Sequence, residues 1–297
     1  LLNRRLAGIE GHLVRWYYTP MMLPFSRHLN SAYCVYDCMD ELSAFDFAPA
    51  ELPWLERELF GVADVVFTGG YSLYEAKQAH HGNVQPFPSS VDQHHFATAR
   101  QLVPANNARP RIGFYGVIDE RFDIALLRQI AALRPEIDFE IVGPVVKIDS
   151  AALPRADNIF YTGPVPYEDL PQCLGRWHAA MMPFALNEST RFISPTKTPE
   201  YLAAGRPVIS TAIRDVERHY GEVAGVMIAD DADGFAAACD CAVLMFQDNA
   251  AWLAQVDQLL SELSWDKTVW EMNYNLRIGL TRRRSLQTMR SRKGQHY

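Results

Sequence analysis

Ser194-Pro-Thr-Lys-Thr-Pro-Glu-Tyr-Leu-Ala-Ala-Gly-Arg-Pro-Val-Ile-Ser-Thr211 reads as a loop, a short helix, a glycine stop and an apolar strand. Pro199 fits the first helical turn, where its missing N–H costs nothing. Gly205 fits the C-terminal cap, and Pro207 stops the helix from resuming. The pattern predicts a helix over 199–204 and a strand over 207–211, with Ser194, Thr196 and Lys197 at the helix N-terminus. Such an end carries free N–H donors and partial positive charge, so hydroxyls and a lysine gathered there suit a diphosphate. Glu200, one step into the helix, can accept hydrogen bonds from a ribose diol. Taken alone, the stretch reads equally well as a capped helix between two strands, with Lys197 solvated and Glu200 favouring the helix dipole.

The same alternation extends in both directions. Upstream of this stretch the spacing predicts strands at 111–118, 139–143, 158–163 and 179–184, with helices at 124–133 and 167–177; downstream it predicts a strand at 226–230 and helices at 234–246 and 251–263. Short apolar strands alternating with amphipathic helices indicate a parallel doubly wound sheet, because parallel strands need crossovers and are buried on both faces. Nearer the start, strands are predicted at 12–18, 32–36, 64–68 and 84–87, with helices at 52–63 and 72–81, the latter opened by a Ser72/Glu75 capping box. The fold class is therefore α/β, with two Rossmann-like doubly wound domains. Residues 1–100 form the first domain, 101–110 a linker, 111–264 the second, 265–276 a helix returning to the first, and 277–297 a basic tail. The first residues show no opening strand and no initiator methionine, so the N-terminal domain reads as incomplete.

The composition, 48% hydrophobic and 21% charged over 297 residues, is that of an ordinary soluble protein large enough for two domains. No apolar run approaches the roughly 20 residues that span a bilayer, and Leu-Leu-Asn-Arg-Arg leads into no hydrophobic signal segment, so the expected location is cytoplasmic. Cys34, Cys38, Cys173, Cys239 and Cys241 are odd in number and mostly within apolar or helical stretches, as reduced core thiols are. Residues 277–297 hold seven Arg or Lys and no acid; removing those charges from the total of -7 leaves -14 upstream. An acidic body argues against nucleic acid as a partner. The basic tail reads either as disordered or as a peripheral contact with anionic lipid at the inner membrane face.

Several motifs then stand in a fixed order: Val91-Asp92-x-x-x-Phe96, Gly113-Phe-Tyr-Gly116, Thr162-Gly-Pro-Val-Pro-Tyr-Glu-Asp-Leu170, Ser194-Pro-Thr-Lys197 and Glu200-Tyr-Leu-Ala-Ala-Gly-Arg-Pro-Val208. Together they resemble the nucleotide-sugar glycosyltransferases of the GT-B type, glycosyl transferases group 1 like. Tyr36-Asp-Cys-Met-Asp-Glu-Leu-Ser43 is similar to the branch that builds bacterial cell-surface polysaccharide. The resemblance implies that the second domain holds the donor. Lys197 and Thr196 would take the diphosphate, Glu200 the ribose, and the turn containing Tyr167 the base, while Gly116 would let the backbone approach the phosphates. It departs from the family at Phe192, where many relatives place a sugar-contacting glutamate eight positions before the Glu200 equivalent; Glu188 nearby is not assigned that role.

The chemistry so implied requires a nucleoside diphosphate to leave, and Lys197 is the residue assigned to its charge. Acceptor activation falls to Asp40, preferred to Asp37 because it stands further beyond the strand. His94 and His95 read as interdomain-loop residues, and Arg121 reads either as a phosphate or sugar contact or as a surface salt bridge. Asp230-Asp231-Ala-Asp233 reads as a capping run, and no strand-end Asp-x-Asp appears, so no metal is expected. The expected activity is transfer of a sugar from a UDP- or GDP-linked donor, with no further cofactor, to a glycan or lipid-linked acceptor. A sugar-nucleotide epimerase of the same fold and a non-catalytic nucleotide-sugar-binding fragment remain the alternatives.

Overall fold

The computed structural model describes residues 2–102, 104 and 109–293. In chain order the elements begin with α1 (Leu2–Leu6), β1 (Val14–Tyr17), α2 (Leu23–Ser26), β2 (Tyr33–Cys38), α3 (Leu52–Val62), β3 (Val65–Thr68), α4 (Tyr71–Lys77) and β4 (Val84–Pro86). They continue with α5 (Gln93–Ala97), β5 (Arg111–Tyr115), α6 (Ile124–Leu133), β6 (Asp138–Val142), β7 (Ile159–Gly163), α7 (Leu170–Gly175) and β8 (Ala179–Met182). The last are α8 (Lys197–Ala203), β9 (Val208–Ser210), α9 (Arg214–Tyr220), β10 (Val226–Ile228), α10 (Ala232–Gln247), α11 (Ala250–Leu260) and α12 (Trp265–Lys293).

The chain divides into two compact units, one running to Pro88 and resuming at Asp266, the other Ser89–Trp265. The division falls earlier than the linker read from the sequence because Val91, Phe96 and Ala99 are buried in the second unit's core. Residues 103 and 105–108 of that expected linker lie outside the described residues.

The first unit holds a parallel sheet in the order β1-β2-β3-β4. Sequential order with right-handed crossovers puts every connecting helix on one face. Tyr36 accordingly meets Phe60 and Glu56 of α3, whereas Tyr33, Val35, Val65 and Phe67 point the other way. That second face is covered by α12, through Met272, Leu276 and Leu280. Gly279 lets the helix approach closely, since a Cβ there would lie 2.0 Å from the Tyr33 hydroxyl oxygen. The stretch read as a tail after 276 is thus helical through Lys293, and Arg283 pairs with Asp64; its last four residues lie outside the described ones. Ser72 is not the N-cap expected of it: α4 starts from Gly70, with no side-chain cap, and Ser72 lies inside the first turn.

The second unit's parallel sheet runs β10-β9-β8-β5-β6-β7, so the winding reverses between β5 and β8. Gly113, in the middle of β5, leaves a space that Trp177 fills: a Cβ there would sit 1.9 Å from the indole. Trp177 in turn donates through Nε1 to the buried Glu140 at 2.9 Å, and Arg176 reaches the other carboxylate oxygen at 2.8 Å. The opening helix, α8, begins at Lys197, two residues earlier than read, and ends as expected. Gly205 takes φ +70°, its N–H bonds the Leu202 carbonyl at 2.9 Å, and the Arg206 N–H bonds that of Tyr201 at 3.0 Å. Asp231 caps α10 through the Gly234 N–H at 2.8 Å. Four of the five cysteines are buried and Cys241 is exposed, all free thiols. No described helix is long and apolar enough to cross a membrane.

Gly113→Ala is expected to lower stability by about 1–3 kcal/mol, the usual range for overpacking, because the rigid indole has no room to withdraw. Urea denaturation with an unchanged midpoint would refute this account of the core.

Candidate functional site

Parallel strands end in loops that line a crevice where the winding reverses, and Gly116 is the first residue beyond β5 there. Gly116 has φ +144°, and a Cβ on it would lie 2.6 Å from Cε of Lys197. Gly143, after β6, has φ +146° and packs so closely that a Cβ would come within 1.8 Å of the Gly116 carbonyl oxygen. Two glycines in conformations that other residues avoid therefore bring bare backbone against the lysine.

Lys197 is the first residue of α8, with its Nζ 5.8 Å from the Phe114 ring centroid and 6.0 Å from that of Phe184. Burial lowers its pKa below the ordinary lysine value; Glu200 opposes this, Arg121 adds to it and Asp119 opposes it. One turn along, Glu200 accepts a hydrogen bond from the buried Tyr115 hydroxyl. Burial raises the Glu200 pKa, while the Tyr115 bond, Lys197 and His95 pull it down. Tyr115 is held by the donation of its backbone N–H to the Tyr201 hydroxyl at 3.1 Å. Thr196 precedes the helix without capping it by its side chain. A partly desolvated ammonium and bare backbone can pair with an anion, and a carboxylate one helical turn away can accept hydrogen bonds from hydroxyls.

Tyr167 stands on a 3-10 turn after β7, half exposed, with its ring stacked on His95 at 4.5 Å. Arg121 makes a two-point contact with the buried Asp119, Nη2 at 2.7 Å and Nε at 3.0 Å. The salt bridge read from the sequence is present, between a partly exposed guanidinium and a buried carboxylate. Gly116, Arg121, Tyr167, Thr196, Lys197 and Glu200 all belong to the second unit. Phe192 is half-buried under the Arg191 guanidinium at 5.1 Å, and Glu188 is solvent-exposed, 3.5 Å from the same arginine.

Asp40 lies in the first unit, in the loop after β2, half-buried, its carbonyl 3.5 Å from the Cys38 thiol. That loop is tied down by buried Lys77, whose Nζ is 2.7 Å from Glu41 and 2.9 Å from Glu56. Tyr36 donates to Glu56 at 2.7 Å, so the Tyr36-to-Ser43 motif is built around one ion-pair cluster. Asp37 is buried, bonded by Trp16 Nε1 at 2.9 Å, and burial raises its pKa.

Three participants escape a reading of the sequence. Tyr115 sits inside the Gly113-to-Gly116 motif, where only the glycines carry an obvious conformational meaning. Gly143 follows a strand like many structural glycines. His95, expected in an interdomain loop, belongs to α5 of the second unit, and the Asp92 cap three residues before it is the one local sign of that helix.

Residues 109–243 match the family model described as Glycosyl transferases group 1, so the resemblance read from the motifs holds across most of the second unit. A protein of Bacillus subtilis described as a teichuronic acid biosynthesis glycosyltransferase, TuaH, is 29% identical over 103 residues, 34% of this chain and 26% of that relative's length. Among solved structures, sucrose-phosphate synthase from Thermosynechococcus elongatus superposes with a TM-score of 0.70 at 16% identity, covering 93% of this chain and 75% of that one. Anabaena HepE, in complex with UDP and glucose, gives 0.68 at 14% identity over 89% and 77%. At such identities the likeness shows the fold, two Rossmann-like units of the GT-B type.

The Glu200 environment predicts a pH dependence. A carboxyl whose folded pKa is raised holds its proton more tightly in the folded state. Its contribution is fully present below the ordinary value of 4.5 and is lost as pH rises through the folded value. Without added nucleotide, stability should decline over that window, and Glu200→Gln should flatten the decline; urea midpoints measured against pH with equal slopes in both proteins would contradict the assignment.

Proposed function

We propose that the protein is a glycosyltransferase that moves a sugar from a UDP- or GDP-linked donor to a glycan or lipid-linked acceptor in the synthesis of surface polysaccharide. The observation that carries this reading is the convergence of Lys197, Gly116 and Glu200 at the end of β5. In transfer, the bond between the anomeric carbon and the phosphate oxygen breaks and its electron pair stays on the departing diphosphate. The Lys197 ammonium, in a poorly hydrated site, neutralises that charge where water would otherwise do so, and Thr196 lies beside it. Glu200 takes the ribose diol, Tyr167 lines the base, and Arg121, oriented by Asp119, stands near the phosphates. The acceptor oxygen forms the new bond to the anomeric carbon, and its proton passes to a carboxylate, a role we give to Asp40. With a lysine carrying the leaving-group charge, the reaction needs neither metal nor cofactor.

Support for the donor class comes from fold neighbours solved with UDP or UDP and a sugar, among them HepE and the pneumococcal O-GlcNAc transferase GtfA. Support for the polysaccharide role comes from TuaH and from the Tyr36-to-Ser43 motif. We place the protein in the cytoplasm, in peripheral contact with the inner membrane face where a lipid-linked acceptor would lie.

Lys197→Ala is expected to reduce donor turnover by roughly 100- to 1,000-fold, the usual effect of losing one such charge-stabilising donor, and Glu200→Gln to raise the donor KM. Transfer and hydrolysis of radiolabelled UDP- and GDP-sugars measure both effects. Undiminished activity in both variants would overturn the site, and an isomerised donor formed without acceptor would instead identify an epimerase.

A further inference from the structure

The Asp92 carboxylate accepts the His95 backbone N–H at 3.0 Å and opens α5, and Phe96 is fully buried in the second unit's core. With the helix fixed at both points, the His95 ring lies over Tyr167 with planes 13° from parallel. Its Nε2 is 3.0 Å from the Tyr167 carbonyl oxygen. A carbonyl only accepts, so Nε2 carries a proton and donates it. Phe96 meets the same tyrosine ring edge-on at 5.7 Å. One short helix thus grips the turn after β7 by a ring stack, an edge contact and a directed hydrogen bond. α5 also packs against α8, the helix that carries Glu200.

We propose that His95 is a positioning residue that sets the spacing between the Tyr167 turn and Glu200, and through it the choice of nucleoside in the donor. This rests on the donor-site reading above. Base and ribose are joined by a single glycosidic bond, so a base can meet the turn while its ribose diol meets Glu200 only if the two protein elements stand at one distance. Uracil and guanine differ in depth by a fused ring, and a fixed spacing accepts one better than the other. The turn itself is a short 3-10 segment that follows Gly163 at φ +72° and has its tyrosine half exposed. The turn runs straight into α7, and α5 is the element that holds its tyrosine ring and carbonyl. Removing both the stack and the hydrogen bond should weaken the preferred ligand by about tenfold.

The test is calorimetric titration of the full chain with UDP and with GDP, for wild type, His95→Ala, His95→Phe and Lys197→Ala. The proposal expects wild type to prefer one nucleotide, His95→Ala to lose about tenfold for that nucleotide and less for the other, and His95→Phe to fall between. The phenylalanine variant keeps the ring and loses the N–H, so it separates the hydrogen bond from any loss of folding. Equal affinities in wild type, or a preference that His95→Ala leaves intact, overturn the proposal. If His95→Ala matches wild type while Lys197→Ala loses both ligands, His95 is excluded and the donor site stands. If wild type binds neither nucleotide, both readings fall.

Discussion

The backbone N–H of Tyr115 donates to the Tyr201 hydroxyl, and the architecture of the second unit converges on that bond. Along β5, pairing with β8 covers only Ile112 and Gly113, while pairing with β6 continues to Tyr115. Beyond Gly113 the two central strands part, and an N–H that would have bonded β8 is left inside the protein, where an unpaired donor is costly. Tyr201 satisfies it from α8. The helix that fills the gap between the parting strands is therefore the one whose first turn carries Lys197 and Glu200. Trp177, seated in the space left by Gly113, packs against both tyrosines, at 6.4 Å from Tyr115 and 6.3 Å from Tyr201.

Two treatments of buried charge are visible in the same few residues. Arg206, in the glycine stop itself, is almost wholly buried and has no carboxylate partner among the described residues. It donates instead to the carbonyls of Leu174, Gly205, Ala99, Leu102 and Gly175, and burial lowers its pKa to about 10. Each of its three nitrogens donates, so this cation binds the segment before β5 to α7 and to the residue that ends α8. Lys197 and Glu200 are held differently: their burial pulls each towards its neutral form, and the surroundings compensate only in part. Groups kept under such strain are common where a ligand completes their hydrogen bonds.

The first unit shows how one long-range element changes the meaning of local sequence. Its strands wind in a single direction, which leaves a sheet face that the intervening helices cannot reach. The helix from the far end of the described chain supplies that layer, and an arginine-rich stretch that looks unstructured by composition is helical because Leu276, Leu280 and Gly279 lie against Tyr33 and its neighbours. On the opposite face Lys77, paired with both Glu41 and Glu56, fixes the loop that carries Asp40, so the Tyr36-to-Ser43 motif has a structural cause in two ion pairs that share one buried lysine.

The sequence by itself determined the alternation of strands and helices and the stop at Gly205, because these depend on periodicity and on backbone conformations set within a few residues. It also set Lys197 just ahead of the helix that carries Glu200, and the structure starts that helix at Lys197 itself. Only the tertiary structure decided that Lys197 meets the Gly116 backbone, that Tyr115 bonds Glu200 and that His95 grips Tyr167. Each of these joins residues far apart in the chain, and their energies come from burial and from donors left over where strands separate. Local sequence carries no record of either until the sheet has formed.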